Sequence, residues 1–160
     1  MIEVPVSSAV TDKNLPALRR KARHYALQAL YQWEIAKHPI NEIEAQFLLD
    51  NDMTHVDTEY FGELLHGVPG NLNDLQAQFE PLLDRKLKDL DPIELTLLRM
   101  GVYELLHRID VPYKVVINES INLAKRFGAT DGHRYINSVL DKVAATARKI
   151  EIDAGRSSGN

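Results

Sequence analysis

The stretch Asp91-Pro92-Ile93-Glu94-Leu95-Thr96-Leu97-Leu98-Arg99-Met100-Gly101-Val102-Tyr103-Glu104-Leu105-Leu106 decides the fold class. It opens with a helix start. Asp91 offers a capping carboxylate, Pro92 suits the first helical position, and Glu94 stands three residues after the cap. Ile93, Leu97, Gly101, Leu105 and Ile109 then recur every four residues, while Leu95, Leu98, Met100, Val102 and Leu106 make the segment apolar nearly all round. That pattern belongs to a central helix buried by its neighbours. Gly101 in its interior costs about 1 kcal/mol relative to alanine. A close helix crossing at that point would justify the cost.

Outward from this helix, helical spacing continues in both directions, and no stretch shows sustained period-two alternation. Upstream, a first helix is predicted over 15–36, with Leu18, Ala22, Tyr25, Ala26, Ala29, Leu30 and Trp33 as one apolar stripe. Pro16 fits its first turn and His38-Pro39 ends it. A second is expected over 41–50, with Ile43, Phe47 and Leu48 inward, and a third over 57–68, stopped by Pro69-Gly70. A fourth starts near Asn71 and carries Leu72, Leu75, Phe79, Leu82 and Leu83. Downstream, Val111-Pro112 opens a sixth helix that ends at Phe127-Gly128, the glycine being read as a C-terminal stop. The seventh is expected over 130–149, with Ile136, Val139, Leu140, Val143 and Ala147 inward.

The reading is an all-α protein, a compact bundle of about seven helices in one domain over 14–150. Residues 1–13 and 151–160 read as flexible tails. Hydrophobic residues make up 44% of the 160, enough for a packed core and too many for a disordered chain. There is no cysteine, which excludes disulfides and thiolate metal sites. No apolar run approaches the roughly 20 residues of a membrane span. The first residues lack the basic-then-apolar pattern of a signal peptide. A cytoplasmic protein without membrane contact is expected.

The net charge of −4 does not by itself suggest a nucleic-acid partner. Its distribution does more. Lys13, Arg19, Arg20, Lys21 and Arg23 occur with no acid among them, whereas 38–84 holds ten Asp and Glu and no Lys or Arg. Arginines in the first turns of a helix oppose the dipole, each by some tenths of a kcal/mol. An external polyanion would relieve that opposition. Arg19, Arg20 and Arg23 fall on one face by spacing, opposite much of the apolar stripe, and guanidinium suits phosphate contact and base stacking. A merely solvated charged face is the plain alternative for this run. A second candidate opens the last helix, where Asp131, His133, Arg134 and Tyr135 cluster. Exposed arginine beside an aromatic ring is a stacking platform. The alternative is that Tyr135 simply flanks the core. Asn137 reads as a buried or capping polar group.

Signals for catalysis are weak. The six histidines are scattered, with no metal-ligand spacing, no Gly-rich phosphate loop and no nucleophile elbow. The acidic stretch 42–63 reads as the solvated faces of two helices. No enzyme activity and no cofactor are expected.

Several segments resemble the NusB family of bacterial transcription antitermination proteins. They are Arg19-Arg20-Lys21-Ala22-Arg23 with Ala26-Leu27-Gln28-Ala29-Leu30-Tyr31, then Leu97-Leu98-Arg99 with Tyr103-Glu104-Leu105. Val111-Pro112-Tyr113-Lys114-Val115-Val116-Ile117-Asn118-Glu119 follows, and finally Phe127-Gly128 through Asn137 to Asp141-Lys142. The similarity spans about 15–148. It implies a seven-helix bundle that binds boxA-type single-stranded RNA together with the ribosomal protein NusE, within an RNA polymerase antitermination complex that serves ribosomal RNA transcription. It implies RNA contact by Arg19, Arg20, Lys21, Arg23, Asp131, Arg134 and Tyr135, and partner contact by Tyr31, Glu94 and Arg99. Lys21 stands where that family's basic run would have arginine, Tyr135 where phenylalanine is common, and the N-terminal segment is longer than usual. A NusB-like domain also fronts RNA cytosine methyltransferases, ahead of a long catalytic domain that these 160 residues do not contain. The alternative class is a helical protein-interaction module with no direct RNA contact. A homodimer through the RNA face is left open.

Overall fold

The structure, a computed structural model, describes residues 14–158. Among them are eight α-helices, two 3-10 turns and no strand: α1 (Leu15–Ala36), α2 (Ile40–Asp50), α3 (Thr58–Gly70), α4 (Leu72–Phe79), α5 (Pro92–His107), α6 (Tyr113–Phe127), α7 (Gly132–Ala147) and α8 (Lys149–Ser158). The 3-10 turns, Glu80–Leu82 and Leu87–Asp89, lie between α4 and α5. The all-α reading holds. The N-terminal tail expected at 1–13 lies outside the described residues. The chain divides into two units, 1–66 and 67–160.

In the first unit α1 packs on α2. Ala22, Ala26, Leu27, Ala29 and Leu30 are buried, as the stripe required. Ile43 of α2 is buried and the Phe47 ring lies 6.2 Å from that of Phe61. Leu48, expected inward, is 43% exposed. It stands five residues after Ile43, which turns it about 140° away at 3.6 residues per turn. Asp57 starts α3, its carboxylate accepting from the Tyr60 N–H at 2.9 Å. Its own N–H reaches the Leu18 carbonyl at 3.1 Å, which ties the loop before α3 to the start of α1.

The second unit is built on α5, α6 and α7, which pack on one another in all three pairings. Every α5 residue from Glu94 to Leu105 is buried. Asp91 caps it, accepting from Ile93 N–H at 2.8 Å and Glu94 N–H at 3.3 Å. The crossing expected at Gly101 is present. A Cβ there would lie 2.9 Å from Leu140 Cδ1 of α7 and 3.3 Å from Ser120 Oγ of α6. Ile109 does not extend the stripe, because α5 stops at His107 and leaves it 76% exposed. Helix α4 stops at Phe79, short of the expected Leu83, since Pro81 has no N–H with which to continue it. Gly128 ends α6, but not in a left-handed conformation: its φ is −93°. Glycine is needed there because a Cβ would meet the Ala124 carbonyl oxygen at 2.8 Å.

The last expected helix is divided. It ends at Ala147, and the chain continues as α8 to Ser158, where the sequence suggested a tail from 151. Arg148, between the two helices, is 3% exposed. Its guanidinium donates to the carbonyls of Leu105 and Val111 at 2.8 Å, Arg108 at 2.9 Å and Glu104 at 3.2 Å, and to Glu151 Oε1 at 2.6 Å. The other oxygen of Glu151 accepts from the Tyr113 N–H at 3.0 Å, so one ion pair fastens the end of α5, the start of α6 and the start of α8.

Candidate nucleic-acid interface

The basic run occupies the second and third turns of α1, and no acidic side chain stands in the first. Its members divide into two kinds. Arg20 and Lys21 are exposed. With Asn14, Ala17, Leu18, Thr54 and His55 they line an open depression of 640 Å³. That lining carries positive charge and no carboxylate. Arg19 is half-buried: its Nε lies 3.8 Å from Asp57 Oδ2 and its guanidinium carbon 4.7 Å from the centre of the Tyr60 ring. Arg23 is only 3% exposed, with its guanidinium carbon 5.3 Å from the same ring.

The expectation that Arg19, Arg20 and Arg23 form one outward face is therefore corrected. Arg19 and Arg23, four residues apart, point together onto Tyr60, and Arg20 and Lys21 face solvent. The signal was in the sequence. Arg23 precedes Ala26, Leu27 and Leu30 by three, four and seven residues, which places it within the apolar stripe. A long arginine stem covers apolar surface readily. Thr54 and His55 were not singled out, because nothing local in a loop shows which helix it approaches.

In the second unit, Asp131 and Arg134 are exposed and Tyr135 is half-buried at the start of α7. Asn137, read as buried or capping, is exposed. The Tyr135 ring is not bare. The guanidinium carbon of Arg85 lies 4.4 Å from its centre. Its hydroxyl accepts from the Asp84 N–H at 3.2 Å. Burial raises the Tyr135 hydroxyl above its ordinary pKa. The hydrogen bond from Arg85 lowers the Asp84 carboxyl below its own.

The three residues implied in partner contact are placed differently from one another. Tyr31 on α1 is 37% exposed, whereas Glu94 is 7% exposed and Arg99 6%. Arg99 donates to Gln76 Oε1 at 2.9 Å. Glu94 lies against the first turn of α7, and burial, reinforced by Asp91, raises its carboxyl above the usual carboxylate value. Only Gly132 makes room for it, since a Cβ there would lie 2.5 Å from Glu94 Oε1 and 3.3 Å from its Cδ. Gly132→Ala should therefore displace Glu94 and lower stability by about 1 kcal/mol, the low end for overpacking, because the obstructing atom is a flexible side-chain tip. Urea unfolding in a double-mutant cycle checks this. In a Glu94→Ala background the cost should disappear, and an unchanged cost would mean that the glycine serves another purpose.

Among the described residues no group of three His, Asp or Glu converges in a way that could hold a metal ion. No helix among them is long and apolar enough to cross a membrane. The described residues make this an all-helical protein, with a cationic depression on one helix start and an arginine–tyrosine contact on another. Known proteins narrow that class. The NusB family model matches residues 20–145, and the chain belongs to the NusB family. It is 57% identical over 138 residues to the transcription antitermination protein NusB of Pseudomonas fluorescens, covering 86% of this chain and 83% of that one. To the protein of the same name from Hahella chejuensis it is 55% identical over 139 residues, covering 87% and 93%. Its fold is similar to that of T. maritima NusB, with a TM-score of 0.69 at 28% identity, over 80% of this chain and 91% of the other.

Proposed function

We propose that this protein is a non-catalytic, cytoplasmic transcription antitermination factor. It binds boxA-type single-stranded RNA together with the ribosomal protein NusE and supports ribosomal RNA transcription by RNA polymerase. The observation that carries the RNA reading is the exposed pair Arg20 and Lys21 on a depression with no carboxylate in its lining. Two adjacent cations in the second turn of a helix suit a phosphate backbone, which gains from both side chains. Arg19, turned onto Tyr60 and Asp57, and buried Arg23 hold this helix start in place and contribute less direct contact. Asp131 and Arg134 supply a second RNA contact, with Tyr135 taking part beneath Arg85. Of the residues proposed for the partner, Tyr31 offers exposed surface in the first unit, and Glu94 and Arg99 are buried and shape the second unit.

The test is a titration of boxA-type single-stranded RNA at several salt concentrations. Log affinity should fall linearly with log salt, by about 0.7 for each phosphate contact. Arg20→Ala with Lys21→Ala should reduce that slope by about 1.4 and leave the helical circular dichroism intact, since alanine favours helix. Arg23→Ala should instead lower stability and leave the slope nearly unchanged. Binding that ignores salt would support a protein-interaction module in place of an RNA-binding one.

A further inference from the structure

We infer that the base-stacking surface at the start of α7 is the outer face of Arg85, with Tyr135 as its support. The inference rests on the RNA reading above and names the side chain that a base would meet. Arg85 follows the 3-10 turn Glu80–Leu82, far from Tyr135 in sequence, yet its guanidinium carbon lies 4.4 Å from the Tyr135 ring centre. Both layers are pinned. The Tyr135 hydroxyl is held by the Asp84 N–H at 3.2 Å. Arg85 donates from Nε to Asp84 Oδ1 at 2.7 Å and from Nη2 to Oδ2 at 3.3 Å, a two-pronged grip on one carboxylate.

This geometry decides between two uses of Arg85. A guanidinium whose edge already holds a carboxylate has its charge largely answered and its in-plane donors partly occupied, which makes it a poor phosphate ligand. Its flat outer face is still available, and the side chain is 43% exposed. Guanidinium planes stack on unpaired bases and on aromatic rings alike. The ring face beneath is covered, so a base cannot reach it without dislodging Arg85. The ligand is thus an unpaired RNA base, taken up by stacking and not through its phosphate.

The experiment uses the full chain and the same boxA-type single-stranded RNA. Arg85→Ala should weaken binding about 5- to 150-fold, the range for one stacked base, with the salt slope unchanged. Arg85→Lys keeps the charge but has no plane, and should be nearly as weak. An RNA made abasic at one position after another should, at a single position, bind the wild type as weakly as the Arg85→Ala variant and bind that variant no worse. Thermal melts of both variants should match the wild type, since the side chain lies at the surface. Wild-type affinity in Arg85→Ala, or rescue by Arg85→Lys together with a lower salt slope in Arg85→Ala, would overturn the inference while leaving the RNA reading intact. Failure of the wild type to bind this RNA would overturn both.

Discussion

Replacing Arg148 with alanine is expected to lower the stability of the second unit by about 3–5 kcal/mol, the cost of removing one member of a buried charged network. An arginine has five N–H donors, and at Arg148 each has an acceptor: Leu105, Val111, Glu104, Arg108 and Glu151. Leu105 belongs to the last turn of α5, whose carbonyls tend to lack helical partners, while the Glu104 and Arg108 carbonyls each also accept a backbone N–H, from Arg108 at 2.9 Å and Val111 at 3.0 Å. The substitution leaves the Leu105 and Val111 oxygens without the arginine donor, takes one of two donors from Glu104 and Arg108, and frees Glu151 from its cation. Each buried acceptor so abandoned costs about 1–3 kcal/mol, reduced where water can enter. Arg148→Lys should recover less than half, because one compact ammonium cannot span acceptors held apart by a planar fork. Urea unfolding measures the loss, and amide exchange should show the end of α5 opening first. A loss under about 1 kcal/mol would mean that water replaces the arginine easily and that the network does not hold the helices.

Arg148 also marks the limit of what local sequence reveals. Helix starts and stops set by nearby chemistry were legible. Asp91-Pro92 opened α5, and the stripe from Leu18 to Trp33 bounded α1. Gly101 announced a crossing because glycine in a buried helix has few other reasons to be there. The break at Arg148 carries no proline or glycine, and its cause is a set of acceptors about forty residues upstream. Nothing near it in sequence could reveal them.

The site was legible in the same measure. The residue types that suit RNA were visible, but which of them face outward was not. Arg23 was read by its charge when its spacing to Leu27 and Leu30 placed it inside. Gly128 was read as a helix stop, which it is, and close approach to the Ala124 carbonyl is the reason for the glycine. Arg85 was missed because only the fold brings it to Tyr135.

Gly67→Ala should lower stability by about 2–3 kcal/mol, near the upper end for a forced insertion into a packed core. A Cβ at this position of α3 would lie 2.6 Å from Tyr103 Cζ and 2.8 Å from its Oη. The obstructing group is a rigid ring, 7% exposed, itself packed at 4.8 Å centroid distance against His107. It cannot retreat as the Glu94 carboxylate can from Gly132. Helix propensity pulls the other way, favouring alanine by about 1 kcal/mol. The sum therefore depends on the ring, and the same substitution three residues later isolates that dependence. Gly70 closes the same helix with nothing within 4 Å of its would-be Cβ. Gly70→Ala should be neutral or stabilising by up to about 1 kcal/mol. In a Tyr103→Leu background the cost at Gly67 should shrink toward that of Gly70, because a flexible side chain can give way where the ring cannot. Denaturant unfolding of the single and double variants reads all of these signs. Equal effects at Gly67 and Gly70 would show that backbone entropy, and not the Tyr103 ring, governs this turn of the helix.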